Sequence, residues 1–210
     1  MFRNIFNPDT PLMITMAQIT DCIFLSLLWL LCCFPVVTAG ASSAALYDSV
    51  FRAFRQGEKN SWGRFFKVFK DNLIAGLLPT VLFMVLAVLL VKAIVAAWNA
   101  AVLSGLSWAL FAAAALLGIL ALGTLCLLFP VLSRFENSFM ALVKNTVFLA
   151  MANLPRTLAL GLIYGLTALL SLRFIAPLFF MPALASLIAT LFIEPMFKPF
   201  MPEEENSEEE

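Results

Sequence analysis

"LLCCFPVVTAGASSAALYD", Leu30–Asp48, decides how this chain is read. Up to Val37 it is apolar enough for a bilayer. From Thr38 onward it is small and polar, with Gly40, Ser42 and Ser43 set among alanines. Pro35 lacks an N–H and disfavours a straight helix through it. Lipid supplies no hydrogen bonds, so a break there must lie where protein or water satisfies the backbone. Gly40 permits backbone angles that other residues adopt only at a cost. Ser42 or Ser43 can cap a new helix, running to about Arg55. Leu46, Val50 and Phe54 recur on one side of it, while Asp48, Arg52 and Arg55 are polar. The stretch therefore predicts a turn from a spanning helix into a surface helix. Its small residues let neighbouring backbones approach closely. A helix N-terminus with two serines could also hold an anion.

Composition sets the class. Of 210 residues, 62% are hydrophobic and 12% charged. A soluble domain is nearer half apolar and about a quarter charged. Lipid is the obvious cover for the excess. Net charge is zero, so no global field points to nucleic acid. Histidine is absent, which removes the commonest metal ligand and the usual general base near neutral pH. Cys22, Cys32, Cys33 and Cys126 all lie in apolar runs without a CxxC pair and read as small buried hydrophobes. No cofactor is implied.

Spans need roughly 17–25 mostly apolar residues. Five candidates follow: about Met13–Val37, Leu73–Val91, Leu106–Phe129, Thr157–Leu172 and Phe174–Ile193. Only Arg173 separates the last two, which predicts a tight antiparallel hairpin. The fold class is all-α: a polytopic helical membrane protein of about five spans with two or three interfacial amphipathic helices. Residues 1–202 form one membrane domain and residues 203–210 a disordered acidic tail, holding six glutamates. The first span is read as retained rather than cleaved, because its leader carries Arg3 against Asp9 and Asp21.

Lysine and arginine orient the spans. Arg52, Arg55, Lys59, Arg64, Lys67, Lys70, Arg134, Lys144, Arg156 and Lys198 fall on one side, and Arg3, Lys92 and Arg173 on the other. Ten against three puts the first group in the cytoplasm, the N-terminus outside and the C-terminus inside.

Two cytoplasmic stretches read as interfacial. In "NSWGRFFKVFK", Trp62, Phe65, Phe66 and Phe69 share a helical face opposite Arg64, Lys67 and Lys70, with Asn60 or Ser61 as cap. That pattern suits an anionic leaflet. The competing cover for the aromatic face is the protein's own spans. The second stretch, Ser138–Asn153, carries Lys144 and Asn145 mid-run and stops before Pro155. The two regions resemble each other: "FKDNLIAGLLPTVLFMVL" and "VKNTVFLAMANLPRTLALGL" share a basic helix, Leu-Pro, a threonine and an apolar span. A structural repeat and two convergent membrane-entry elbows both account for this.

The order of Pro35, Thr38, Gly40, Ala41, Ala45 and Tyr47, with "FFKVFKDN" and "LPRTL" later, resembles the signature of the YesL family. That is a family of bacterial integral membrane proteins of unknown function. The acidic tail lies outside its pattern. The family's genes often sit beside carbohydrate ABC transporters and sensor kinases. The resemblance thus implies a bacterial cell-membrane protein with a non-enzymatic accessory role in sugar uptake or sensing. ABC transporter subunits or a sensor kinase are the implied partners, besides the lipid bilayer.

Asp21 is the sharpest candidate for chemistry, because an ionisable residue inside a span is a functional hypothesis by default. Thr15, Gln18, Cys22 and Ser26 share its flank, so Gln18 and Asp21 could line a polar pathway. The plainer reading is a hydrated Asp21 near the outer interface. Arg134 and Glu136 could pair with each other or clamp another helix. Arg134 and Arg156 also fit cytoplasmic anchors. A membrane enzyme would be favoured by a second intramembrane carboxylate, and none is evident from the sequence.

Overall fold

A computed structural model describes residues 11–58, 60–103, 107–135, 138–174 and 176–200. The tail, Lys59 and Glu136 lie outside them, as do the side chains before Gln18, Thr15 among them. Every regular element among the described residues is helical. The α-helices are α1 (Pro11–Cys32), α2 (Ala39–Arg55), α3 (Ser61–Asp71), α4 (Leu77–Leu103), α5 (Ser107–Arg134), α6 (Phe139–Ala152), α7 (Leu154–Arg173) and α8 (Met181–Phe197). Short 3-10 turns cover Val36–Thr38, Ala176–Phe179 and Lys198–Phe200.

Four helical segments are long and apolar enough to cross a membrane: Leu77–Val102, Phe111–Arg134, Leu154–Arg173 and Met181–Phe200. The chain is an all-α polytopic membrane protein. Two expected boundaries move. The second span does not stop at Val91, because beyond Lys92 the run "AIVAAWNAAVL" is again apolar and helical. Lys92 is thus a helix residue with an exposed side chain, not a loop residue. The last span does not begin at Phe174. Pro177 sits in the Ala176–Phe179 turn, and Pro182 belongs to the first turn of α8, where its missing N–H costs nothing. The expected tight hairpin becomes a connector of several residues. In its described apolar part, Gln18–Cys32, α1 is shorter than the four spans.

The largest correction concerns α2. It is no surface helix: 11 of its 17 residues are buried. On one side Leu46 and Val50 pack with Leu25, Phe65 and Ala183. On the other, Ala44 and Tyr47 join Leu127, Leu142, Leu160 and Ile193. The serines that looked like caps do something else. Ser42 Oγ donates to Trp29 O at 3.1 Å, and the Trp29 indole N–H donates to Ser43 Oγ at 3.1 Å. They tie α2 to α1. The Thr38 hydroxyl reaches the carbonyls of Cys32 (2.6 Å) and Pro35 (2.7 Å), holding the turn where α1 ends.

Gly40 is needed for proximity, not for unusual angles, since among the described residues only Gly57 has a positive φ. Its N–H donates to Thr80 Oγ1 at 3.0 Å. A Cβ there would run into Thr80 Oγ1 and lie 3.0 Å from Gly76 O. A second close approach joins α5 to α7, where a Cβ on Gly161 would overlap Ile119 O and one on Gly123 would overlap Thr157 O. This is the small-residue packing expected where lipid supplies no hydrophobic drive between helices.

The two similar stretches occupy matching places. In α2–α3–α4 and in α5–α6–α7, a glycine of the first helix abuts the backbone near a threonine of the third. A short helix intervenes, and a Leu-Pro pair opens the third helix. Thr80 Oγ1 donates back to Gly76 O (2.6 Å), and Thr157 Oγ1 reaches Asn153 O (3.1 Å). These shared landmarks favour a structural repeat over two unrelated elbows.

Candidate functional site

Among the described residues, buried charge gathers along the C-terminal half of α2. Tyr47, 1% exposed, donates its hydroxyl to Glu194 Oε1 at 2.8 Å. Arg134 Nη2 donates to the same oxygen at 3.0 Å. The Arg134 guanidinium also sits 4.2 Å from the centre of the Phe51 ring, within cation–π range. One residue along from Tyr47, Asp48 is 1% exposed and receives Arg64 Nε at 2.5 Å and Arg52 Nε at 3.4 Å. Two carboxylates and three arginines thus join α2, α3, α5 and α8 at the end where the spans carry their basic residues. Burying an ion is expensive unless it is paired and hydrogen-bonded, and each carboxylate here meets that condition.

Electrostatics follow the geometry. The hydrogen bond to Asp48 raises the Arg64 pKa above its ordinary value, outweighing its partial burial. Burial first, then the Glu194 charge, push the Tyr47 phenol well above its usual range. Above the clusters lies a cleft of about 630 Å³. Arg64, Lys67, Asp71 and Asn72 line it from the α3 side, Ser133 and Arg134 from α5.

The expected site residues divide. Arg134 clamps another helix, α8, and with its side chain only 5% exposed it is no headgroup anchor. The alternative pairing with Glu136 lies outside the described residues. Arg156 is half-buried, 3.1 Å from Asn153 Oδ1 and 3.5 Å from Pro195 O. The aromatic face of α3 is split. Phe65 is fully buried and Phe69 half-buried within the protein, whereas Trp62 and Phe66 are 46% and 44% exposed. Trp62 rests on the Phe24 ring, centroids 4.6 Å apart. Lys67 and Lys70 are exposed, but Arg64 turns inward to Asp48. Asn60, not Ser61, caps the helix, accepting from Gly63 N at 3.2 Å.

The polar stripe of α1 does not act as one unit. Gln18 is exposed and Asp21 half-buried. Ser26 is fully buried and accepts from Ala183 N at 3.1 Å. It satisfies one of the orphan amides at the start of α8. Of the turn residues, Gly40, Ala41 and Tyr47 are buried while Pro35 and Thr38 are not.

Sequence reasoning missed Glu194 altogether and placed Asp48 on a solvated face. The available signal for Glu194 was a lone carboxylate in the apolar run "TLFIEPMF". It is a carboxylate within a spanning segment, and Arg134 and Tyr47 already engage it. Among the described residues, no group of three or more Cys, Asp or Glu could hold a metal.

No curated protein and no solved structure matches the chain. Residues 22–93, from mid-α1 into α4 and roughly a third of the chain, match a family model described as "Protein of unknown function, DUF624", the family that includes YesL-like proteins.

Proposed function

We propose that this is a YesL-like, non-enzymatic accessory protein of a bacterial cell membrane that docks on a carbohydrate ABC transporter or its sensor kinase. The cytoplasmic cleft between α3 and the end of α5 carries this reading. Its floor is cross-linked by two ion clusters, while Lys67, Asp71 and Asn72 present mixed charge at its wall. Such an arrangement fits a docking surface held by a stiff scaffold. The end of α5, the start of α7 and the end of α8 meet through Arg134–Glu194 and Arg156–Pro195 and carry basic residues, so the C-terminus is assigned to the cytoplasm. The basic residues alone predict an outside N-terminus, but α1 runs antiparallel to α2, with Trp29 on Ser42 and Ser43 and Phe24 on Trp62 of α3, so the start of α1 is assigned to the same side as α3.

Affinity purification of the full chain in mild detergent, with partners identified, is the direct test. Co-purified ABC subunits or kinase are expected, with recovery falling several-fold in Lys67→Glu at unchanged melting temperature. A chain recovered alone that moves solute into liposomes would overturn the reading in favour of a small transporter or channel. Gln18 and Asp21 motivate that alternative. A cysteine at Asn206, in a background without the native cysteines, should label only from the cytoplasmic side. Labelling from outside would invert the topology.

A further inference from the structure

Between the two similar helical units lies a cavity of about 470 Å³, within the range of small-ligand sites. Most of its wall is apolar, with Phe83 and Met84 from α4, Leu122 and Phe129 from α5, and Leu172 and Leu178 beyond α7's midpoint. Among the described residues, no Asp, Glu, Lys or Arg lines it. The polar groups that do reach it are largely committed to protein partners. Tyr47 donates to Glu194, Thr80 to Gly76 O, Thr167 to Ile163 O, and the Trp29 indole to Ser43. Tyr164 and Ser186 are hydrogen-bonded to each other. A buried water needs about 2–4 polar partners, and this wall has few to give. A charged headgroup would find no counter-ion inside.

The cavity's open side is equally informative. Among the described residues, α4 packs chiefly along α5 and α2, with at most slight contact to α7 or α8. Met84 and Leu172 both line the cavity and are nevertheless 43% and 86% exposed. Both belong to spanning helices, so the gap faces the hydrocarbon of the bilayer rather than water.

We propose that this cavity holds one hydrocarbon chain of a membrane lipid, inserted sideways between α4 and α7. The headgroup stays in the bilayer, since the lining offers it no charge partner. The site is independent of the cytoplasmic docking surface.

Trp29 lines the cavity and reports on it. A full-length variant with Trp62, Trp98 and Trp108 changed to Phe keeps that indole alone. In nanodiscs, phospholipid with brominated acyl chains should quench it strongly, and aqueous iodide should not. Ala168→Phe places a ring at the mouth from an exposed position of α7, and should cut the bromine quenching at least twofold. Quenching that is absent, that is unchanged by Ala168→Phe, or that comes from iodide overturns the proposal. Native mass spectrometry of the otherwise wild-type chain gives a readout that does not need the triple variant. One retained lipid is expected, and its loss in Ala168→Phe; a wild-type chain released bare overturns it.

Discussion

Two helices of this protein reverse the usual relation between polarity and burial. Of the most apolar 18-residue stretch of α4, only 6% is buried, and Leu78, Val85, Leu89 and Val95 stand out from the protein. In α2, which carries Asp48 and two arginines, 11 residues are buried, with Ser42 and Ser49 fully so. In water this would be an unstable arrangement. In a bilayer the solvent is itself apolar, so apolarity marks the face that meets lipid and no longer marks the core. What distinguishes the interior is closeness and pairing. Glycines at 40, 123 and 161 bring backbones together, and buried carboxylates meet arginines.

The comparison breaks most severely if the α2 end does not depend on its ion pairs. Arg134→Ala takes the guanidinium away from Glu194, whose side chain is 10% exposed. Truncating one partner of a buried pair costs about 3–5 kcal/mol. Thermal unfolding in detergent, followed by size exclusion, should show a correspondingly large loss. Arg134→Leu combined with Glu194→Leu should recover most of it, because the remaining penalty is chiefly packing. A single-variant loss below about 1 kcal/mol would mean that the pair behaves as a solvated surface contact.

Close approach should come next in size. Gly161→Leu must separate α5 from α7, because even its Cβ would overlap Ile119 O. Overpacking of this kind costs about 1–3 kcal/mol, and more where backbone is in the way. An unchanged melting temperature would show that the crossing is looser than the structure makes it.

These two sites also show what was legible beforehand. The spans could be read because continuous apolarity is a local signal, and Gly40 because small residues beside a proline announce a close contact. The reason assigned to Gly40 needed revision: Thr80 and Gly76 crowd it, while its φ is ordinary. The burial of α2 was not legible. Asp48 and Arg52 look like a solvated helical face until Arg64 is brought in from α3. Tyr47 and Glu194 are 147 residues apart, and nothing local to either names the other. A buried ion pair assembled from distant helices leaves only isolated charges in the sequence, which read equally well as interfacial anchors.

Alkaline pH probes the same end more gently. The folded pKa of Tyr47 lies above its unfolded value, so the native state binds that proton more tightly. Its contribution is present in full below about pH 10 and is lost as pH rises through the folded value. The chain should therefore lose stability progressively above that range. Tyr47→Phe, which has no proton to lose, should show a shallower decline. Parallel slopes for the two proteins would remove Tyr47 from the account.

The sharpest test sets the smallest effect beside a larger one, because it makes one chemical change in both regions. Val50 of α2 is 0% exposed and Val85 of α4 is 53% exposed. Val50→Ala opens a void among Leu25, Leu46 and Phe65, which helix packing cannot fully close. The lost burial and the residual cavity together should cost roughly 1–3 kcal/mol. Val85→Ala removes the same two methyl groups from a face where lipid or detergent chains take their place. The transfer is from hydrocarbon to hydrocarbon, and the cost should stay within about 0.5 kcal/mol. Paired unfolding measurements in one lipid mixture would read the difference directly. Equal losses at the two positions would show that α4 packs against protein after all. That would close the lateral gap beside α7 and make the inverted relation between α2 and α4 a feature of an isolated chain.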